Sequence, residues 1–243
     1  MEIVAVLKQA PFCPGAEYTL PGSDENMLCE ALHLRDAYGG RVSALILGDE
    51  TACGALKKAY SMGVDTACLV DTRGLARPDV FAAAGIMAAA VQRREAFDLV
   101  LCGRQAIDGD SARFAALLAY RLCLPQVLYA KGISAEGRAA TIKRHTELGD
   151  YVYQVTLPAL VMTVNDMVPP RFSQVADIMA AYSGEKHIDI VAGEALSNAP
   201  GPCLCEKANL PQSVGSGPKT QWFTGSESDI ACELLSAVRR LAP

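Results

Sequence analysis

The sequence predicts an α/β fold in which a doubly wound, mostly parallel, Rossmann-like sheet is flanked by helices. Four short apolar runs, typical of strands buried on both faces of a parallel sheet, precede Pro125: Ile3–Leu7, Arg41–Leu47, Thr66–Val70 and Leu99–Cys102. Segments with helical periodicity separate these runs, and repeated strand–helix units imply right-handed crossovers between parallel strands.

Three apolar stripes at helical spacing alternate with these runs. They comprise Leu28, Ala31 and Leu32 with Arg35 at the edge, then Val80, Ala84, Met87, Ala88 and Val91, and finally Phe114, Leu117, Leu118 and Leu122. Each stripe gathers apolar side chains on one side of a helix. Each of these helices is therefore predicted to pack on the sheet through that side.

The pattern after Pro125 predicts a small antiparallel addition to the sheet. Residues Tyr151–Leu157 alternate with period two, which indicates a half-exposed antiparallel strand. Ala139–Arg144 is predicted to pair with it across the turn at Thr146–Asp150. Ala159–Val164 then returns as a buried strand that is expected to join the main sheet.

Composition divides the chain into an α/β nucleotide-binding domain, residues 1–183, and an extended C-terminal arm, residues 184–243. From Gly184 to Lys219 the sequence is rich in Gly, Pro, Ser and Asn, and it has too few apolar residues to bury a core. Ser226-x-x-Asp229 resembles a capping box. An amphipathic helix is predicted after it, with Ile230, Leu234, Leu235, Val238 and Leu241 on its apolar face. The arm is expected to pack on the body of this chain or on a partner subunit.

Several smaller patterns have structural interpretations that we favour over functional ones. Asp24-Glu25 before the first helix is interpreted as an N-cap rather than a ligand contact. The short apolar helix after Pro170-Arg171-Phe172 is interpreted as core rather than as a docking surface; it contains Val175, Ile178 and Met179. His33, His145 and His187 lie far apart in polar contexts, so each is interpreted as solvated rather than catalytic.

Charge and composition argue against several classes of partner. The formal net charge is −5 and no long Lys/Arg run occurs, which disfavours nucleic acid and anionic membranes. No apolar window approaches the roughly 20 residues of a membrane span, so direct membrane insertion is not expected. Nine scattered cysteines favour reduced thiols and a cytoplasmic location. Cys203 and Cys205 form a close pair without a second pair or a nearby His, and plain thiols are favoured there.

A polar loop, Gly103–Ser111, follows the fourth apolar run and leads into a helix. This order presents backbone N–H groups to a phosphate and predicts a nucleotide site at the carboxyl edge of the sheet. Gly109 would admit the phosphate, while Ser111 would donate to it and Arg113 would compensate its charge. Taken alone, Asp108–Ser111 is better explained as an acidic N-cap without a ligand, and Arg113 is explained equally well as a surface residue of the helix. The familiar nucleotide, zinc-protease and serine-hydrolase motifs do not occur, so no catalytic or metal-binding residue is predicted.

Taken in order, several segments resemble the β subunit of electron transfer flavoproteins. The matching segments are Val4–Gln9, Gly103–Ser111 with Leu124–Gln126, Ile142–Arg144 through Leu157–Val161, and Pro170-Arg171 with Asp177–Met179. The resemblance covers nearly the whole chain. It implies a redox-carrier subunit, rather than an enzyme with its own catalytic residues, that pairs with an α-type subunit. The pair would share FAD and accept electrons from a dehydrogenase whose identity the sequence does not give.

The same resemblance implies that this subunit binds AMP or a second FAD. Carried over residue by residue, the contacts fall on Val6, Pro21, Gly22, Ser23, Asp24 and Leu47, and on Asp108, Gly109, Asp110, Ser111, Ala112, Arg113, Phe114 and Ala115. The family loop usually continues with a Gln and a Gly where this chain has Arg113 and Ala115. This departure leaves both nucleotides open.

Two other functions stay open from the sequence. An adenine-nucleotide-binding hydrolase or stress-type protein on a similar sheet is one of them, although no Ser-Gly-Gly-type phosphate loop follows Val4–Leu7. The other is a degenerate scaffold with an empty pocket.

Overall fold

The structure is a computed structural model that describes residues 1–8, 20–75, 78–94, 96–104, 113–165 and 167–196, with 226, 228–231 and 235–236. Its strands in residues 1–196 are β1 (Glu2–Leu7), β2 (Arg41–Gly48), β3 (Thr66–Asp71), β4 (Leu99–Gly103), β5 (Gln126–Glu136), β6 (Ala139–Thr146), β7 (Gly149–Thr156), β8 (Ala159–Thr163) and β9 (Ile188–Ala192). Its helices there are α1 (Gly22–Tyr38), α2 (Cys53–Met62), α3 (Val80–Gln92), α4 (Arg113–Leu122) and α5 (Val175–Tyr182). Two 3-10 turns cover Glu50–Ala52 and Gly193–Leu196.

The strands of the described chain form one sheet in the order β7-β6-β5-β8-β4-β1-β2-β3-β9. The pairings from β5–β8 through β3–β9 are parallel, whereas β6 pairs antiparallel with both β5 and β7. This arrangement confirms the predicted mostly parallel sheet with a small antiparallel addition. The four predicted apolar runs form β1 to β4, and the predicted pairing of Ala139–Arg144 with Tyr151–Leu157 is present in β6 and β7.

Two hydrophobic clusters cover the two faces of the sheet. Successive side chains of a strand point to opposite faces of its sheet, and β1 shows this alternation. Ile3 and Leu7 pack with α1 and α2, whereas Val4 and Val6 pack with α3 and α4. Burial of each large aliphatic side chain contributes about 1.5–3 kcal/mol. Buried residues from all three predicted helical stripes belong to these two clusters, so the helices pack on both faces of the sheet.

The strand β9 is an edge strand that the sequence analysis did not predict. It lies within the segment interpreted as an arm, and it pairs in parallel with β3 from Ala67↔Ile188 to Asp71↔Ala192. The following 3-10 turn buries Leu196, which is 5% exposed. Residues 188–196 thus extend the main sheet and its core.

The chain divides into two compact units, residues 1–204 and residues 205–243. Within the second unit, residues 228–231 and 235–236 are helical. Ser226 Oγ accepts from the Asp229 N–H at 3.3 Å, and the Asp229 carboxylate accepts from the Ser226 N–H at 3.3 Å. This reciprocal pair is the predicted capping box. Of the apolar face predicted behind it, Leu234, Val238 and Leu241 lie outside the described residues.

Candidate functional site

The strand order reverses between β1 and β4, and the place where the carboxyl ends of these two strands lie side by side is here called the switch-point crevice. β1 pairs with β2 on one side and with β4 on the other. The helix that follows β1 belongs to one face of the sheet, and the helix that follows β4 belongs to the other. In open α/β sheets such a switch point is where ligands bind.

Asp24, in the first turn of α1, packs between the ends of these two strands. Its carboxylate accepts a hydrogen bond from the backbone N–H of Lys8 at 2.7 Å. A Cβ on Gly103, the last residue of β4, would collide with Asp24 Oδ1 and lie 3.2 Å from the Ser23 carbonyl. A glycine is therefore needed at position 103, because a residue without Cβ lets the β4 backbone approach the Asp24 carboxylate this closely. The Asp24 side chain is 1% exposed.

Burial dominates the electrostatics at this point. It raises the pKa of Asp24 from 3.8 to about 7, although the Lys8 backbone hydrogen bond and the Lys8 ammonium oppose the rise. The carboxyl group therefore titrates near neutral pH. Burial also raises the pKa of the neighbouring Cys102 thiol to about 12. Cys102 is consequently a neutral core group and not a reactive thiolate.

Lys8 links the end of β1 to the start of α4. Its ammonium lies 5.5 Å from the centroid of the Phe114 ring, a cation–π distance. The crevice thus has a lysine ammonium next to the N-terminal turn of a helix, where the macrodipole is positive. Both features favour an anionic group such as a phosphate.

The described residues of the predicted nucleotide site lie at this switch point and on both faces of the sheet. At the start of α1, Pro21, Ser23 and Asp24 are buried and Gly22 is exposed. On the other face, Val6 and Ala115 are buried, Leu47 and Phe114 are half-buried in the same hydrophobic cluster, and Arg113 is exposed. Asp108, Gly109, Asp110, Ser111 and Ala112 lie outside the described residues. Direct contact of these residues with a nucleotide stays a prediction.

The N-cap interpretation of Asp24-Glu25 is wrong. Pro21 occupies the N-cap position and provides no side-chain hydrogen bond; its carbonyl accepts from the N–H groups of Asp24 (2.9 Å) and Glu25 (3.0 Å). Asp24 lies within the first turn, and its side chain is directed into the body of the protein. The local sequence does not reveal this, because Gly103, a residue distant in the chain, creates the space that Asp24 fills.

Lys8 and Gly103 are not among the contact residues that the resemblance implied, although Gly103 begins the predicted nucleotide loop. Both have a sequence signal, since each follows or ends a buried apolar run at the edge where parallel strands finish. A lysine directly after such a run places a cation at that edge. A glycine at the end of the run permits the close approach seen here.

The interpretation of the short apolar helix as core is wrong. On α5 and just before it, apolar side chains are exposed to solvent: Phe172 (90%), Val175 (73%), Met179 (67%), Tyr182 (58%) and Ile178 (41%). Ala181 is the buried apolar residue among those described on this helix. α5 packs on α2 and contributes Ala181 to the core, while its larger side chains stay outside the core.

The histidines were predicted to be solvated, and no metal-binding residue was predicted. His33 is exposed, His187 has an 85% exposed side chain, and His145 Nδ1 is 2.5 Å from Asp150 Oδ1 at the surface. These positions confirm the solvated interpretation of the histidines. Over the described residues, no cluster of three or more His, Cys, Asp or Glu is arranged to hold a metal ion. In that same part of the chain no helix is long and apolar enough to cross a membrane.

Comparison with known proteins identifies the family. The model of the electron transfer flavoprotein domain matches residues 14–187. The electron transfer flavoprotein subunit beta of Thermoanaerobacterium thermosaccharolyticum is 31% identical over 210 residues, which are 81% of this chain and 80% of that protein. The chain belongs to the electron transfer flavoprotein β-subunit family.

Two further relatives of this β-type chain carry names that refer to reductases. The Caffeyl-CoA reductase-Etf complex subunit CarD of Acetobacterium woodii is 35% identical over 232 residues, 93% of this chain and 87% of that protein. The Acryloyl-CoA reductase electron transfer subunit gamma of Anaerotignum propionicum is 36% identical over 180 residues, 73% of this chain and 67% of that protein. The family therefore includes subunits of electron transfer flavoproteins and of reductase-associated complexes.

Proposed function

We propose that this chain is the β-type subunit of a two-subunit electron transfer flavoprotein and that it binds AMP, or a second FAD, at the switch-point crevice. The proposal rests on one observation in a chain of this family. Lys8, the start of α1 and the start of α4 lie together at that crevice. Electron transfer itself is the established activity of the family. The nucleotide and its location are the proposed part.

The residues at the crevice are suited to an anionic ligand. The Lys8 ammonium supplies a positive charge beside the first turn of α4. Gly22 starts α1 at the surface, and a Cβ there would meet no atom of the described residues within 4 Å, so this part of the chain leaves space beside the helix start. Asp24 is too buried to contact a ligand through its carboxylate, and it contributes by holding the end of β1 against α1. The loop Asp108–Ala112 would complete the cradle.

FAD would be held between this chain and an α-type subunit. A flavin ring needs an enclosed, mostly apolar site. The nucleotide-like loop of this chain is single and lacks the dinucleotide fingerprint that holds a pyrophosphate. The partner would therefore supply the missing wall. When bound, FAD supplies the redox chemistry, while the protein supplies orientation and electrostatics.

The electron donor or acceptor is proposed to be a dehydrogenase or reductase. Names of relatives mention acryloyl-CoA reductase and caffeyl-CoA reductase, which makes an enzyme acting on CoA thioesters the class to test first. A cytoplasmic location stays a prediction that rests on cysteine usage. No observation favours the alternative of an adenine-nucleotide hydrolase.

The test compares the chain produced alone with the chain co-expressed with an α-type partner. The isolated chain should release AMP or FAD on denaturation, identified by mass. The complex should show flavin absorbance and should hold one equivalent of flavin more than the isolated chain holds. If no nucleotide is released from either preparation, the nucleotide proposal is wrong.

Two lysine variants localise the site. Lys8→Met removes the ammonium at the crevice, and we expect roughly a tenfold weaker retention of the nucleotide, corresponding to about 1.4 kcal/mol. Lys143→Met removes the same charge from an exposed position on β6 and serves as the matched control. Equal retention by the two variants would show that the nucleotide binds elsewhere.

A further inference from the structure

A second cleft, here called the hairpin cleft, lies where β5 leaves the parallel sheet and enters the antiparallel hairpins. Its volume is about 500 Å³, within the range of small-molecule sites. It is lined by Arg104, Tyr129, Lys131, Arg144, His145, Thr146, Glu147 and Val164. Arg104 follows β4 and Val164 follows β8, whereas the other residues belong to β5, to β6 or to the turn after β6. The two sites lie on opposite sides of β4, because the hairpin cleft is on the side of β8 and the switch-point crevice is on the side of β1.

The charge of the hairpin cleft is strongly one-sided. Among the described lining residues, Arg104, Lys131 and Arg144 are cationic and Glu147 is the one carboxylate, while Asp150, which pairs with His145, interacts electrostatically with Lys131. Among the described residues, none of the three cations forms an ion pair with a carboxylate. Gathering like charges in one cleft is unfavourable unless an anion neutralises them. The arrangement is typical of a site for an anionic group.

Tyr129 organises two of these cations. The guanidinium of Arg104 lies 5.5 Å from the centroid of its ring, and that of Arg144 lies 5.6 Å away. Tyr129 has a backbone φ of 62°, at an irregularity where the register of β5 shifts against both neighbouring strands. A non-glycine residue in this left-handed region costs on the order of 1–3 kcal/mol, and such strain concentrates at functional sites. Here it holds an aromatic ring against both guanidinium groups.

Arg144 provides an independent sign of a missing partner. Its Nε atom is buried and has no hydrogen-bond partner. Among the described side chains, it is the one buried polar atom without such a partner. Leaving a buried donor unsatisfied costs about 1–3 kcal/mol, and more for a charged group. A guanidinium has five donors in a planar fork that matches the oxygens of a phosphate or carboxylate. A ligand oxygen next to Nε would remove this cost.

We propose that the hairpin cleft binds the phosphate group of a small molecule, with Arg144 and Arg104 as its main donors and Lys131 adding charge. A phosphate is favoured over a single carboxylate because a doubly charged group balances more of the three cations and offers more acceptor oxygens. The site is independent of the nucleotide proposed at the switch-point crevice, so either proposal can fail alone.

The experiment titrates the full-length chain, with whatever nucleotide it retains, with inorganic pyrophosphate and follows the heat of binding. Arg144→Gln should raise the dissociation constant at least tenfold, and Arg104→Gln, at an exposed position, should raise it as well. Lys143→Gln is the matched control, because Lys143 precedes Arg144 on β6 and is directed to the opposite face, over Gly132. The control should bind within twofold of the unmodified chain.

Three outcomes would overturn the proposal. The first is an absence of saturable pyrophosphate binding, and the second is an equal loss in Lys143→Gln and Arg144→Gln. The third is binding that Lys8→Met abolishes and Arg144→Gln leaves intact, because pyrophosphate would then occupy the switch-point crevice. Weaker assembly of Arg144→Gln with an α-type subunit, observed together with the first outcome, would indicate that the cations contact the partner and not a small molecule.

Discussion

A single buried carboxyl group, that of Asp24, joins the elements that meet at the switch point. It accepts from the Lys8 N–H and fills the space that Gly103 leaves open. Because burial raises its pKa to about 7, the folded protein binds a proton there that the unfolded chain releases above pH 3.8. Stability from this group is therefore greatest at acidic pH and falls as the pH rises towards 7.

We expect Asp24→Asn to remove this pH dependence, because the amide keeps an acceptor for Lys8 and does not ionise. The free energy of unfolding of the unmodified chain, minus that of the variant, should fall between pH 4 and pH 8 by no more than about 4 kcal/mol. Chemical denaturation of the unmodified chain and of the variant at several pH values measures the two free energies of unfolding.

Asp71→Asn is the control of opposite sign. Hydrogen bonds from Arg73 lower the pKa of Asp71, so its contribution is present above the unfolded value and is lost as the pH falls. A difference for Asp24→Asn that stays constant with pH would mean that Asp24 keeps one protonation state throughout this range.

At the scale of elements, the sequence predicts what depends on local pattern and fails where tertiary contacts decide. Continuous apolar runs predicted β1 to β4, and strict alternation predicted β7. The stripes named for helices did not include α2, whose ends are set by the Glu50–Ala52 turn and by Gly63 at a φ of 106°. β9 was missed because it is short and half-exposed, and its partner β3 lies about 120 residues earlier.

The helix α5 shows the same limit from the other direction. Its apolar spacing is that of a core helix, yet Met179 is 67% exposed. Amphipathic spacing identifies a helix that has an apolar face, but it does not say what covers that face. The candidate site divides similarly: local chemistry predicts its loop, which stays a prediction because residues 105–112 lie outside the described residues, while the buried position of Asp24 required knowledge of the packing around Gly103.

Met179→Gln should therefore change the free energy of unfolding by no more than about 0.5 kcal/mol, as is usual for a surface substitution. Met87→Gln is the matched comparison on α3, where the side chain is fully buried. Placing an amide there should cost roughly 2–5 kcal/mol through lost packing and an unsatisfied polar group. Urea denaturation of both variants measures the contrast; a large loss for Met179→Gln would show that the helix is covered.

At the scale of the whole molecule, the boundary between the two compact units determines which truncations leave the first unit whole. Residues 1–204 form one compact unit. A cut after Asp189 removes most of β9 and the buried Leu196, whereas a cut after Leu204 keeps both. The arm predicted for residues 184–243 is thus best tested by a truncation that spares the edge of the sheet.

A chain ending at residue 204 should keep its thermal stability, because residues 1–204 form one compact unit and retain β9 and Leu196. A chain ending at residue 189 should lose about 2–4 kcal/mol, or roughly 5–15 °C in melting temperature. Association with an α-type subunit should weaken for the 1–204 chain if the removed segment embraces that partner. Calorimetry and a titration of the partner measure the two effects; an unchanged dissociation constant would contradict the role of the arm.

The position of β9 also has a consequence during synthesis. β3 is complete once Asp71 has been made, but the strand that covers its edge follows about 120 residues later. At about 5–20 residues per second, that edge waits roughly 6–24 s for its partner. During this interval the nascent chain presents the unpaired N–H and C=O groups of an apolar strand, which other chains can pair with. Ribosome-bound chains that end before Ile188 should therefore depend on chaperones more than chains that extend past Leu196.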